Sequence, residues 1–177
     1  MYYSTTHPSP VGTLTLACDG GRISGLWLEG QKYHGDTEAM MEKNDVPIFD
    51  TAKKWLDRYF AGAKPAISEL PLAPRGSEFR QAVWRILCEI PYGETTTYGA
   101  VAKKMAGKMN WGNGKSMSSR AVGGAVGHNP ISIIIPCHRV VGANGRLTGY
   151  AGGIDTKRRL LEWEGVVDMK HPLEHFK

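Results

Sequence analysis

Between Glu94 and Asp155 the sequence carries no carboxylate at all, while Lys103, Lys104, Lys108, Lys115, Arg120, Arg139 and Arg146 fall inside that window. Over 177 residues the net charge is only +5, but it is unevenly spread. Residues 1–77 hold 8 basic and 9 acidic side chains, and residues 78–177 hold 14 and 8. A solvated basic face would explain the cations alone; the missing acids favour a polyanionic partner. Cysteine is also scarce. Cys18, Cys88 and Cys137 cannot all pair and none stands in a C-x-x-C, which argues against a disulfide framework or a structural zinc knot. No purely apolar run is longer than Ile133–Ile135, so no segment could span a bilayer. The start, Met1-Tyr2-Tyr3-Ser4-Thr5, lacks the basic and apolar regions of a secretory signal, and the expected location is cytoplasmic. Repeats and low-complexity tracts are absent too, and 41% hydrophobic with 22% charged residues is ordinary for a globular chain of one large or two small domains.

What is present divides the chain in two. Leu14, Leu16 and Cys18 alternate with Thr13 and Thr15, the period of a half-buried strand, so Cys18 reads as core. Asp19-Gly20-Gly21 offers a tight turn, and Ile23, Leu26 and Leu28 begin a second apolar segment, completing a hairpin. Residues 30–47 are polar and read as a loop. Ala52, Trp55, Leu56, Tyr59 and Phe60 recur at helical spacing, with Asp50 or Thr51 to cap the start and Gly62 the end. The proline-rich stretch from Lys64-Pro65 to Pro74-Arg75-Gly76 cannot continue a helix. It is the best boundary, between a domain over 1–74 and a domain over 75–177.

In the second part Ser77 reads as the N-cap of a helix through Ile90, with Phe79, Val83, Ile86, Leu87 and Ile90 as its apolar stripe and Trp84 and Cys88 bordering it. Thr95–Thr97 can cap a helix through Met105, and Ser118 or Ser119 another over Arg120–Val126. Two short helices inside the acid-free window suggest a helix-turn-helix. Ile131–Ile135 reads as a buried strand, the residues up to Gly153 as a glycine-rich loop, and Asp155–Glu164 as the last helix.

The sharpest local feature is Pro136-Cys137-His138-Arg139-Val140, at the expected end of the buried strand. A packed cysteine is inert, whereas a nucleophile needs the thiolate. With an unperturbed pKa near 8.5, about 3% of a thiol is ionised at pH 7, and each unit of lowering is worth roughly 1.4 kcal/mol. On residue types alone both readings of Cys137 stay open. On an ideal strand His138 would point to the opposite face, so contact needs a bend or a bridging water. An imidazole base also wants an acidic partner, for which the last helix offers Glu162 and Glu164.

The Pro136–Val140 motif resembles the active site of the O6-alkylguanine-DNA alkyltransferases, also called methylated-DNA–protein-cysteine methyltransferases. Phe79-Arg-Gln-Ala-Val-Trp84, Ile90-Pro-Tyr-Gly-Glu-Thr95, Thr97-Tyr98-Gly99, Arg120-Ala-Val-Gly-Gly124, Asn129-Pro130 and Gly149-Tyr-Ala-Gly-Gly153 resemble further family segments in the same order. The resemblance covers nearly the whole chain. It implies an α+β protein, with a small ribonuclease H-like α/β N-terminal domain followed by a mostly helical C-terminal domain with a helix-turn-helix. It also implies a monomer with no cofactor, acting on double-stranded DNA that bears O6-alkylguanine.

The roles implied by the resemblance are specific. The damaged nucleotide would be flipped into a pocket, at a cost of a few kcal/mol for unstacking. Arg120 would fill the space it leaves, and Tyr98 would donate a hydrogen bond or proton toward the base. Cys137 would attack the alkyl carbon, His138 would take the thiol proton through water, Glu164 would orient the imidazole, and Asn129 would brace the turn. The family's spacing favours Glu164 over Glu162. Val140, Tyr150, Ala151 and Gly152 would form the pocket, Ala151 standing where relatives often carry serine. Thr97, Lys108, Lys115, Ala121 and Gly123 would join Arg120 in meeting DNA. The product is a thioether with no good leaving group, so each molecule should act once. One departure stands out: Arg120 comes 22 positions after Tyr98, more than the family pattern, with the surplus around Met109–Lys115 and its Trp111.

Other patterns carry less. Gly114-Lys115-Ser116 lacks the preceding glycine and strand of a phosphate-binding loop. His171 and His175 read as a terminal tail, and His7, Cys18 and His34 do not reproduce a zinc ligand set, so no metal is expected. Two competing functions are a non-catalytic alkyl-lesion binder, which would lack the cysteine, and a cysteine hydrolase, which would leave the basic window unexplained.

Overall fold

The computed structural model describes residues 1–32, 34, 39–108 and 117–166. The chain forms two compact units: Met1–Arg75 with Pro130–Ile134, and Gly76–Asn129 with the chain from Ile135 onward. No helix among the described residues is long and apolar enough to cross a membrane.

The first unit is a four-stranded sheet with one long helix. β1 (Tyr2–His7), β2 (Leu14–Cys18), β3 (Ile23–Leu28) and β4 (Met40–Glu42) lie in the order β3-β2-β1-β4. β2 and β3 form the expected hairpin, with Leu16 opposite Leu26 and Leu14 opposite Leu28. Asp19 closes its turn by accepting from the backbone N–H groups of Gly21 and Arg22, and Gly20 takes φ +106. The outer edge of β3 is covered, since Leu26 N–H donates to Pro130 O and Ser132 N–H to Leu26 O, each at 2.9 Å. Thr5, Ser24, Gln31 and Ser132 are this unit's buried polar side chains among the described residues.

Two expectations change here. β4 pairs in parallel with Tyr2–Ser4 inside the polar stretch read as a loop; three half-exposed or exposed residues carry no periodicity that could announce a strand. α1 runs Pro47–Phe60, so Asp50 and Thr51 lie within it and neither caps it. Pro47 supplies the start because the first helical N–H groups lack partners anyway. The apolar face, Phe49, Ala52, Trp55, Leu56 and Tyr59, begins a turn earlier than the sequence indicated.

The second unit is mostly helical: α2 (Glu78–Leu87), α3 (Tyr98–Lys108), α4 (Ser119–Gly127) and α5 (Ile154–Trp163). Hydroxyl caps define three helix starts. Ser77, Thr97 and Ser118 accept from the N–H groups of Arg80, Ala100 and Ala121 at 3.2, 3.1 and 3.3 Å. α2, α3 and α4 pack on one another, and Trp84 Nε1 donates to Ala125 O at 2.8 Å. α3 and α4 are the helix pair of the expected helix-turn-helix; residues 109–116 between them lie outside the described residues. α2 stops at Leu87, with Glu89 and Ile90 carried by tighter i→i+3 bonds to Ile86 and Leu87.

The largest correction concerns Ile131–Ile135. Only Ile131 bridges β3; the next residues turn, and Ile133 takes φ +68, an outlier for a β-branched side chain. All five are buried, so burial on every side, and not strand pairing, explains the four isoleucines around Ser132. Cys137 therefore opens a 3-10 turn, Cys137–Arg139, instead of ending a strand.

Candidate active site

The turn at Cys137 is held by its own backbone. Cys137 N–H donates to Ile135 O at 2.8 Å and Arg139 N–H to Pro136 O at 3.0 Å. On a 3-10 turn successive side chains are about 120° apart, so Cys137 and His138 do not point to opposite faces as they would on a strand. Beyond the turn, β6 (Val140–Val141) pairs in parallel with β5 (Thr96–Thr97). That short ladder carries Tyr98, the first residue of α3, to the neighbourhood of the cysteine, close enough that an ionised sulfur would push the phenol up.

Glu164 is delivered by the end of α5. It is the C-cap, followed by Gly165 at φ +88, with Gly165 N–H bonded to Glu162 O and Val166 N–H to Leu161 O. These two bonds make a Schellman ending, and Val166 packs on the cluster of Val141, Leu147 and Leu161 that usually accompanies one. The buried carboxylate meets His138 Nε2 at 2.5 Å and Arg139 Nε at 2.8 Å, and Gly93 N–H donates to it at 3.1 Å. Arg139 also donates to Ile90 O at 2.7 Å. Glu162 instead pairs with Arg158 at 2.9 Å on the exposed side of α5.

This network sets the protonation states. Burial pushes Glu164 up, but His138 and Arg139 more than offset it and hold the carboxyl well below the usual range. Burial lowers the affinity of His138 for a second proton, and the opposing pull of Glu164 does not reverse it. An ionised carboxylate can only accept, so Nε2 of the neutral imidazole carries the hydrogen and Nδ1 keeps its lone pair. Nδ1 is buried and has no hydrogen-bond partner among the described residues. The imidazole is thus a base with its free nitrogen turned away from its orienting acid.

Cys137 is 5% exposed, and burial raises its thiol above the ordinary value. A hydrogen bond from Asn129, the charge of Lys157 and the nearby Tyr150 side chain work the other way. Asn129 also donates from Nδ2 to Ile135 O at 2.9 Å, tying α4 to the residue from which the turn hangs. Tyr98 Oη accepts from Thr148 Oγ1 at 3.2 Å, and burial keeps its phenol protonated to higher pH. At Cys18 and Cys88 burial also dominates, over the Gly20 N–H at the one and the Arg139 charge at the other, and it drives Cys88 up to about 11.

Lys157 is the residue that sequence reasoning missed. It is fully buried on α5, its Nζ donates to Val140 O at 2.6 Å and Thr148 O at 3.3 Å, and it lies 5.9 Å from the Tyr98 ring centroid. Its spacing to Leu160 and Leu161 put it on the apolar face of the helix, a signal available in the sequence.

The remaining candidates are placed as follows. Val140 is fully buried, and Tyr150, Ala151 and Gly152 are half-buried in the turn closed by Gly153 N–H on Tyr150 O. Arg120 and Ala121 are exposed in the first turn of α4, Gly123 faces the Tyr98 ring, and Thr97 caps α3. Lys108 is paired with Glu89 at 3.2 Å, and Lys104 approaches the same carboxylate at 3.9 Å, so the acid-free window of the sequence is not acid-free in space. Lys115, Trp111, the Gly114–Ser116 pattern, His171 and His175 lie outside the described residues. His7 bonds Asp57 at 2.7 Å, Cys18 is buried in β2, and His34 lies against Trp27.

Comparison with known proteins identifies the family. Residues 78–166 match the family profile described as 6-O-methylguanine DNA methyltransferase, DNA binding domain, and residues 1–74 match its ribonuclease-like domain. A methylated-DNA–protein-cysteine methyltransferase from Haemophilus influenzae is 43% identical over 94% of this chain and 87% of its own length. One from Methanosarcina acetivorans is 46% identical over 93% of this chain and 99% of its own. The crystal structure of Mycobacterium tuberculosis OGT in complex with DNA superposes with a TM-score of 0.76 at 44% identity, covering 92% of this chain and 91% of that one. Carrying both matched domains at this identity, the chain belongs to the 6-O-methylguanine DNA methyltransferase family.

Proposed function

We propose that this protein repairs alkylated DNA by direct reversal, moving an alkyl group from guanine O6 to Cys137 once per molecule. The observation that carries the reading is the Glu164–His138 pair beside a buried thiol that is protonated at rest. Such a thiol needs a base, and His138 Nδ1 is a buried lone pair with no other partner among the described residues.

His138 Nδ1 takes the thiol proton, through water, and Glu164 holds the resulting imidazolium. The sulfur forms a bond to the alkyl carbon as the carbon–O6 bond breaks, and the electron pair leaves on the base. Tyr98 donates toward that base, so guanine departs neutral. Asn129 braces the turn; Val140, Tyr150, Ala151 and Gly152 wall the pocket. Thr97, Lys108, Lys115, Arg120, Ala121 and Gly123 meet the duplex, Arg120 occupying the gap left by the flipped nucleotide. The thioether product is inert, which limits the yield to one equivalent. Domains over 1–74 and 75–177, a monomeric state and a cytoplasmic location complete the reading, and transfer to thymine O4 stays within its chemistry.

The test is mass spectrometry after incubation with duplex DNA containing O6-methylguanine. One methyl group on Cys137 and one equivalent of repaired base are expected. Cys137→Ala should abolish transfer and retain DNA binding; dealkylation by that variant would overturn the reading. DNA retained by unmodified protein would favour the non-catalytic lesion binder.

A further inference from the structure

A lysine is almost never fully buried unless it is paired. Lys157 is fully buried, yet its partners among the described residues are two carbonyls, and none is a carboxylate. Those carbonyls use two of the three N–H donors of an ammonium and compensate part of its lost hydration. Neither supplies negative charge. The carbonyls themselves belong to Val140, which ends the Cys137–Arg139 turn, and to Thr148, whose hydroxyl donates to Tyr98. The ammonium is therefore fixed between the nucleophile's turn and the phenol, with the face of the Tyr98 ring on one side.

The other ionisable groups near it leave one partner for that charge. Glu164 is already shared between His138 and Arg139, and Lys157 is felt by His138 as an added positive charge. Tyr98 is held protonated by burial. That leaves Cys137, and the interaction is mutual: the ammonium favours the thiolate, and the thiolate favours the ammonium. Burial lowers Lys157 to about 8, so it is mostly charged at neutral pH.

Building on the alkyl-transfer reading, we propose that Lys157 is the positioning residue for the Cys137 thiolate, its ammonium pinned by Val140 and Thr148 as the counter-charge that the sulfur meets when His138 takes its proton. The pair exists only between deprotonation and transfer, because neither the thiol nor the thioether carries charge. Lys157 thereby lowers the barrier to forming the nucleophile without touching the departing base.

Lys157→Gln separates charge from hydrogen bonding, since the amide still donates to a carbonyl. Thiolate absorbance near 240 nm is titrated in the full-length protein, with Cys137→Ser subtracted to remove Cys18 and Cys88. Transfer from O6-methylguanine duplex is followed as a single turnover from pH 6 to 9.5. In Lys157→Gln the Cys137 midpoint should rise by about one unit or more and transfer at pH 7 should fall about tenfold, the deficit closing as pH rises. Lys157→Arg should recover the lower midpoint. An unchanged midpoint, or a rate deficit equal at every pH, would overturn the proposal and leave Lys157 as a brace for two carbonyls. If Lys157→Gln does not fold, the reciprocal titration decides: the Lys157 Cε resonance in Cys137→Ser should titrate at lower pH than in the unsubstituted protein, and an identical midpoint would overturn the pairing. Wild-type protein that removes no methyl group defeats the alkyl-transfer reading, while both titrations still test the pair.

Discussion

The two units bury polar groups of different kinds. Thr5, Ser24, Gln31 and Ser132 in the first are neutral, and Gln31 satisfies two donors at once, the Leu28 N–H at 2.9 Å and the Ser132 hydroxyl at 3.0 Å. His138, Arg139, Lys157 and Glu164 in the second are ionisable, and Asn129 joins them at the thiol. Neutral polar groups are compensated by hydrogen bonds alone, whereas buried charges need each other. The first unit is thus organised for packing. The second holds an expensive ionic cluster, and the proposed alkyl transfer is what would require a proton acceptor, a fixed acid and a sulfur in one dry place.

That contrast is most directly broken at Glu164. Glu164→Gln leaves Arg139 and His138 without their shared anion and should cost about 3 kcal/mol or more in denaturant unfolding, with transfer slowed about a hundredfold. Acid should find the same weakness. Glu164 is held well below its ordinary value when folded and returns to about 4.3 when unfolded, so the unfolded chain takes the proton first as pH falls. Its contribution is whole above about pH 5 and is lost progressively below that. Unfolding curves between pH 7 and pH 3 should therefore converge for wild type and Glu164→Gln; parallel curves would remove Glu164 from the account.

A neutral core change in the first unit sharpens the comparison from the other side. Leu16 is fully buried in β2, and Leu16→Ala should cost about 2–4 kcal/mol. It should leave the acid-dependent loss as it is in wild type and the transfer rate of the folded fraction unchanged. The smallest effect is expected at the α4 cap. Ser118→Ala removes the acceptor for the Ala121 N–H and should cost about 1 kcal/mol, measured by thermal unfolding.

Much of this was legible in the chain. The β2–β3 hairpin follows from alternation at Leu14, Leu16 and Cys18; the Ser77 cap is named by residue type and position, and the structure selects Thr97 from Thr95–Thr97 and Ser118 over Ser119. The Pro136–Val140 motif and the family segments around it located the candidate site before any coordinates. Ile131–Ile135 was misread because a run buried on all sides looks like a central strand, and only the positive φ at Ile133 distinguishes them. The early start of α1 escaped because Val46 offers no capping side chain. Lys157 escaped because a lysine counts as surface in any pattern of polar and apolar positions, although its place among Leu160 and Leu161 pointed inward.

The β2–β3 hairpin, the helices of the second unit and the family were legible in the sequence alone, because caps, alternation and short motifs act over a few neighbouring residues. That Arg139 shares Glu164 with His138, and that Lys157 is buried beside the Cys137 turn, was decided only by the tertiary structure. Glu164 reaches His138 across 26 positions and Lys157 reaches the Val140 carbonyl across 17 because a helix ends in one turn and buries one face. Coulomb and desolvation energies depend on distance and on the surrounding dielectric, and neither quantity is written in the order of the residues.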